Sequence, residues 1–411
     1  MKFVHLADIH FGKQLHGLSL IDDQKAWCAA CEEVLEKEQP DAVVIAGDVY
    51  DRSQPGGEAR KLCSDFLTAL THRLPVLMIA GNHGSGENIE YLSDLVRENG
   101  LYVSGNLSKS LKCVTLRDAY GPVHFWLLPY FFPALVRDVL EREETFSGYT
   151  EACRALLEQQ SINTEERNVL VAHQLVLNGS DAPEMGGSET TVGGVGQIDF
   201  RVFDAFDYVA LGHIHKGQAI GRQSVRYAGS PLCYHFGEAG KTDEGNAKKG
   251  MQIIEIGEKG SEILIRQVPV RPLHPLRNIE GALEAIEEAE QPSGKTGEYL
   301  HVRLTDEVLP VNVQERLRTL FEARGSKLLW LDRVTHRAQD RDFRGGTAIM
   351  QEKSPEEHFL QYYQDQRPDT PISPVDQQLV HFLGELMEQS PEDPPERLAG
   401  KLMQYALEVA Q

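Results

Sequence analysis

Positive charge is what this sequence has least of. Its 41 lysines and arginines face 62 aspartates and glutamates, a net charge of −21 at pH 7. Such a chain does not draw in a polyanion by its own field, so a nucleic-acid role must take its attraction from bound metal ions or from a partner. Cysteine is sparse as well. Six are present without the spacing of a disulfide framework, which excludes a disulfide-stapled secreted scaffold and reads as reduced thiols in a cytoplasmic protein. Cys28-x-x-Cys31 has no second pair and falls in the helical pattern Gln24–Lys37, so it reads as core packing rather than a zinc or redox site. No apolar run reaches the length of a membrane span, and no membrane partner is expected. Asp8 interrupts the only early apolar run and no small-residue cleavage site follows, unlike a signal peptide.

What the sequence does have is a set of short apolar runs that end in polar side chains. The clearest is Tyr208-Val-Ala-Leu-Gly-His213-Ile-His215. Its first four residues have the length and composition of a buried strand. In extended chain, positions i and i+2 point the same way, so His213 and His215 leave the strand end together. Alone, this pattern fits two exposed loop histidines equally well. Four further runs decide the matter. Phe3–Ala7 is followed by Asp8-Ile-His10, and Asp41–Ala46 by Gly47-Asp48-Val-Tyr-Asp51-Arg52. Pro75–Ala80 is followed by Gly81-Asn82-His83, and Asn168–Ala172 by His173.

Helical patterns lie between the early runs, at Gln24–Lys37 and near Glu58–Thr71. Buried strands alternating with helices predict an α/β fold whose sheet is covered on both faces, with ligand groups at the strand ends. Asp8, His10, Asp48, Asn82, His173, His213 and His215 supply seven oxygen and nitrogen donors. One zinc takes about four, so two divalent ions sharing a carboxylate is the economical count. Paired ions are a device for phosphoryl transfer.

These motifs, in this order and spacing, resemble the calcineurin-like metallophosphoesterases, and within them the SbcD family of nuclease subunits. Supporting stretches are Leu6–Gly12, Gly47–Ser53, Ala210–Lys216 and Val225–Pro231. The resemblance covers about residues 1–270. It implies a β-sandwich flanked by helices, with one metal on Asp8, His10 and His215, the other on Asn82, His173 and His213, and Asp48 bridging. It implies Mn²⁺, although Zn²⁺ or Fe²⁺ suits the same donors. It implies His83 as the catalytic acid at the leaving oxygen. The family carries an aspartate after that histidine, and this chain has Gly84. The resemblance further implies ATP-dependent double-strand exonuclease and single-strand or hairpin endonuclease action on DNA, with an SbcC-type coiled-coil ATPase, in repair and recombination. A homodimer within a heterotetramer is part of that expectation. A phosphatase or small-molecule phosphodiesterase on the same fold is the nearest rival; protein phosphatases of the superfamily carry glycine after the Asp-Arg pair, where this chain has Ser53. A scaffold without catalysis would need lost ligands, and none is lost.

The rest of the chain is less informative. Asp51 and Arg52 fit a local ion pair as well as a phosphate contact, and Lys13, Gln14 and His16 fit solvated loop positions as well as contacts to a DNA backbone. Leu101–Tyr130 reads as short strands, Pro133–Gln160 as mainly helical, and Asn178–Gln197, rich in Gly, Ser and Thr, as a mobile loop. Strands are expected at Val225–Ala228, Met251–Ile256 and Glu262–Val268. The nuclease core is placed at 1–268, with a boundary in the proline-rich Pro269–Pro275. A small α/β capping domain at 269–345 would hold a helix at Ile279–Glu290, a strand at Glu298–Leu304, a helix at Asn312–Arg324 and a strand at Lys327–Val334. Residues 346–411 read as helical, with a capped helix at Ser354–Tyr363, a hinge at Arg367–Pro374, and an amphipathic stripe of Leu379, Phe382, Leu383, Leu386 and Met387. The stripe fits packing on the chain's own body as well as a helix-in-groove contact, and the resemblance implies the second, a partner-binding segment for the coiled-coil ATPase.

Overall fold

The computed structural model describes residues 1–333, apart from 85, 92–95, 180–182, 186–195, 241–243, 291–296 and 307. The expected helical tail at 346–411 lies outside the described residues, as does most of the loop expected at Asn178–Gln197.

The five motif strands do not share one sheet. Three of them, Lys2–Leu6, Ala42–Ala46 and Val76–Ile79, run parallel in a six-stranded sheet, joined by Leu101–Ser104 on one side and by antiparallel Gly250–Glu255 and Leu264–Pro269 on the other. The other two, Arg167–His173 and Tyr208–Gly212, are parallel neighbours in a second six-stranded sheet. That sheet is completed by Arg222–Tyr227 and Gln218–Ile220 beyond Tyr208–Gly212, and by Gly121–Leu128 and Lys112–Asp118 beyond Arg167–His173. Each sheet is covered on both faces, by helices on one and by the other sheet on the second, which is the expected β-sandwich flanked by helices.

Side-chain alternation explains why the strands read as unbroken apolar runs. In Ala42–Ala46, residues 42, 44 and 46 join a core between the sheets, while Val43 and Ile45 join a second core under the helices. Tyr208 and Ala210 face the inter-sheet core, and Val209 and Leu211 a third core on the outer face of the second sheet. Phe3, Phe125 and Tyr208 meet edge to face in the middle, with ring centroids 5.4 and 5.7 Å apart. Burying each such ring contributes about 2–3 kcal/mol.

Helices Ile21–Glu38 and Gly57–Thr71 cover the first sheet. Cys28 and Cys31 are buried there as free thiols, and burial pushes both well above the ordinary thiol range, as core packing requires. Pro133–Val139 and Tyr149–Leu157 cover the second sheet.

A smaller unit follows the prolines. Its strands Leu276–Gly281, Tyr299–Leu304 and Lys327–Arg333 form a parallel three-stranded sheet with helices Leu283–Ala289 and Val313–Glu322 around their own core. Here the sequence expectation needs correction, because Ile279 to Gly281 pair with Val302 to Leu304 as strand, and the helix begins only at Leu283. The apolar spacing of Ile279, Leu283 and Ile286 mimics a helix, but Gly281 is a poor helix former and ladder pairing prevails. Val334, at the end of the last expected strand, lies outside the described residues. Asp23 on the first helix ties the unit to the sandwich: one carboxylate oxygen accepts from the backbone N–H and Nδ1 of His274, both at 3.0 Å, and the other from Tyr299 OH at 3.2 Å.

Candidate metal centre

All seven expected ligands converge where the parallel strands of both sheets end. The turns that deliver them are strained. Asp8, His10, Asp48 and His213 adopt positive φ angles of 52°, 50°, 46° and 102°, a region that side chains with a Cβ seldom occupy. Two glycines leave room for the cluster. A Cβ on Gly81 would overlap Asp48 Oδ1, and one on Gly212 would overlap Ala46 O.

The donors form two groups around Asp48. In the first, His10 Nε2 lies 3.1 Å from His215 Nε2, with the ligand atoms of Asp8, His10 and His215 all within 4.8 Å of one another. In the second, Asn82 Oδ1 lies 3.0 Å from His173 Nε2 and 3.1 Å from His213 Nδ1. Asp48 Oδ2 stands between the groups, 3.3 Å from His173 Nε2 and 3.7 Å from His10 Nε2. Asp8, His10 and His173 are fully buried, whereas Asn82 and His83 are exposed, so the cluster opens on their side.

Two of the imidazoles have a partner at the ring nitrogen turned away from the cluster. His173 Nδ1 donates to Ala46 O at 2.8 Å, which turns Nε2 toward the cluster. His215 Nδ1 lies 3.4 Å from Glu238 Oε1. The His213 backbone N–H donates to both Asp8 oxygens, at 3.0 and 3.2 Å. Tyr234 OH donates to Ile9 O, and Gln24 Nε2 to His10 O at 2.7 Å, fixing the backbone of the first ligand turn. His10 Nδ1 is buried with no hydrogen bond among the described residues.

The electrostatics suit a cation. Burial lowers His10 far below the ordinary imidazole range and His213 to about 3, so both present lone pairs at neutral pH. Burial raises Asp8 to about 6. For Asp48, burial would raise the carboxyl, but His173 beside it brings it well below the usual range. The same contact lifts His173 to about 9 against the pull of burial. Carboxylate, amide oxygen and imidazole donors held face to face are the chemistry of a divalent-metal site.

His83 stands at the open side. Its backbone N–H donates to Asp48 Oδ1 at 2.9 Å, and its Nδ1 lies 3.0 Å from Asp51 O. A carbonyl can only accept, so the ring proton sits on Nδ1 and Nε2 is directed elsewhere. The carboxylate that Gly84 cannot supply is thus replaced by a backbone oxygen. Ligand atoms of His83, His10 and Asp48 also fall within 4.8 Å of one another.

Among the remaining expected positions, Lys13 Nζ pairs with Asp51 Oδ1 at 2.8 Å, and Arg52 is largely exposed with Asp51 at 3.8 Å. His16 packs against Trp330, ring centroids 5.0 Å apart. Sequence reading missed Glu238 and Lys249, whose side chains are 2% and 8% exposed and 2.5 Å apart next to His215. They stand 23 and 34 positions from that ligand and form no local motif.

The calcineurin-like phosphoesterase family matches residues 1–217, just over half the chain. This chain belongs to that family. The SbcD subunit of the SbcCD nuclease from Staphylococcus epidermidis is 34% identical over 310 residues, covering 74% of this chain and 79% of that protein. Its counterpart from Staphylococcus saprophyticus is 33% identical over 315 residues, covering 74% and 78%. The C-terminal domain described for the type 5 capsule protein repressor matches residues 272–367. Accordingly the chain is an SbcD-family protein, a metal-dependent phosphodiesterase of the nuclease type. Among solved structures, the Plasmodium inner-membrane-complex anchor GAP50 aligns with a TM-score of 0.39 at 14% identity, over 82% of this chain and 98% of that one. That likeness is too distant to carry an argument. No helix among the described residues is long and apolar enough to cross a membrane.

Proposed function

We propose that this SbcD-family protein is a two-metal nuclease acting on DNA, with Asp8, His10 and His215 holding one ion, Asn82, His173 and His213 the other, and Asp48 shared. The observation that carries this reading is the place of Asp48 Oδ2, within 4 Å of an imidazole from each donor group. The donor set suits Mn²⁺, and when bound such ions polarise phosphoryl oxygens and neutralise charge on the phosphate. The chain's own contribution is to shape the cleft and to move a proton. His83, exposed and with Nδ1–H anchored on Asp51 O, turns Nε2 outward, where the imidazolium form would give its Nε2 proton to the departing oxygen.

A net charge of −21 leaves little long-range attraction for DNA. Tight engagement therefore belongs to an assembly with an SbcC-type coiled-coil ATPase, reached through the helices proposed at 346–411, as a homodimer within a heterotetramer in the cytoplasm. In this reading residues 1–268 are the nuclease core and 269–345 a cap, and the complex acts on duplex ends with ATP and on single strands or hairpins as an endonuclease. The test is Mn²⁺-dependent cleavage of linear duplex, hairpin and single-stranded DNA beside a generic phosphomonoester. Cleavage of the polymer with the monoester spared supports the nuclease; the reverse selects a phosphatase. Deleting Pro374–Gln411 should leave hydrolysis of a small phosphodiester intact and abolish ATPase co-purification. A truncated chain that still binds the ATPase moves the contact elsewhere.

A further inference from the structure

His215 lies beyond the end of its strand and is held by residues from far along the chain. Its carbonyl accepts from Ser230 N–H at 3.0 Å and from Lys249 Nζ at 2.8 Å. Its Nδ1 faces Glu238 Oε1 at 3.4 Å. Lys249 Nζ also donates to Ser230 Oγ at 2.7 Å and to Glu238 Oε2 at 2.5 Å, which uses all three of its protons. Ring and carbonyl of one ligand are thus gripped by a single buried ion pair.

Glu238 rides on Phe236–Ala239, a helix of only 4 residues. A helix that short does not hold itself. The small α/β unit holds it: Asn278 Nδ2 donates to Phe236 O at 2.8 Å and to Gly240 O at 2.6 Å, a carbonyl at each end. Asn278 Oδ1 is occupied by His301 Nδ1 at 2.9 Å, which fixes the direction of the amide. Phe236 and Ala239 are buried in the core under the first sheet, so packing seats the helix while Asn278 fixes both of its ends beside a cavity of about 740 Å³ lined by Phe236, Gly237, Asn278 and Trp330 among others.

We propose that the small α/β unit sets the geometry of the metal centre: Asn278 fixes the Phe236–Ala239 helix, and Glu238 on that helix, with Lys249, positions His215. The three are positioning residues, and the inference rests on His215 being a metal ligand.

The experiment is Mn²⁺ titration of the full-length protein by calorimetry, beside melting curves recorded with chelator. Glu238→Gln keeps the shape of the side chain and should weaken Mn²⁺ at one site by about 10–100-fold, the range for loss of a group that orients a ligand. Asn278→Ala should weaken the same site several-fold. The double variant should fall short of the product of the two, because both act along one path. If Glu238→Gln does not fold because Lys249 loses its partner, the variant Glu238→Gln with Lys249→Met removes both charges together and carries the same expectation. Wild-type Mn²⁺ affinity in whichever of these folds, while His215→Ala weakens binding, overturns the proposal. Asn278→Ala that lowers only the melting temperature, or full additivity, overturns the link through the helix. His215→Ala with unchanged Mn²⁺ binding would instead remove the ligand placement beneath it.

Discussion

The strand ends of the sandwich and the small α/β unit use the same parts and fill their polar interiors differently. Both contain parallel strands with helices between them. In the unit, the buried charges pair with each other: Arg277 reaches Glu290 at 2.8 and 2.9 Å and Glu298 at 3.0 Å, and Arg324 joins Glu290 as well. At the strand ends of the sandwich, donors face donors. His10 Nε2 looks at His215 Nε2, and Asn82 Oδ1 at two imidazoles. Nitrogen and oxygen donor atoms turned toward one another in a buried place are costly unless a cation belongs among them. The backbone makes the same distinction. Seven non-glycine residues among those described have positive φ, four of them are proposed ligands, and none lies in 276–333. Such strain, about 1–3 kcal/mol per residue, persists where the surroundings over-determine it.

The contrast can be broken most sharply at Asp48. Asp48→Ala should abolish both metal sites and with them all activity, whereas Asn82→Ala should weaken mainly one. Metal titration of the two variants decides it, and two intact high-affinity sites in Asp48→Ala would end the bridging assignment. His83→Ala should retain both metals and DNA binding while cleavage falls by about 10²–10⁴-fold. A variant that sheds a metal would make His83 a ligand.

In the unit, Glu290→Gln should lower stability by about 3 kcal/mol at neutral pH, as when a buried pair loses one member. The direct bonds from Arg277 hold the Glu290 carboxyl below the usual carboxylate range. A carboxylate depressed in the folded state contributes stability above its unfolded pKa, about 4.3, and loses it as pH falls through the folded value. The gap in melting temperature between wild type and variant should therefore be full at pH 7 and close below about pH 4. Equal melting temperatures at pH 7 would show that the pair contributes nothing. The smallest effect is expected at Gly84. A Cβ there would meet the flexible end of Ile89 at 2.9 Å, and Nδ1 of His83 already has Asp51 O. Gly84→Asp should leave the cleavage rate unchanged or raise it by less than about tenfold; a larger loss would mean that the carbonyl, once displaced, cannot be replaced by a carboxylate.

The residues that converge at the strand ends could be picked out in advance because each sits beside its own strand, so chemistry and local pattern share a short window. The strands themselves were legible for the same reason. Their division between two sheets was not, since Val43 and Val44 face different cores but are equally apolar in sequence. Gly281 shows the opposite failure: apolar spacing around it fits a helix, and only pairing with Leu304 makes it strand. Glu238 and Lys249 reach His215 through tertiary contact alone. The carbonyl that substitutes for the missing aspartate carries no sequence signal at all, since every residue has one.

Between Asp8 and His10 stands Ile9, and between His213 and His215 stands Ile214, each fully buried in a different hydrophobic core. Both ligand pairs are thus nailed down by the residue in the middle, which cannot move without opening a cavity. Under the proposed ligand assignment, a metal would meet a cage already formed rather than loops that must gather round the ion. In the two-metal reading, the pace of exchange would be set by how quickly an incoming ion sheds its own water, and an ion that sheds it slowly would enter late however tightly it is finally held.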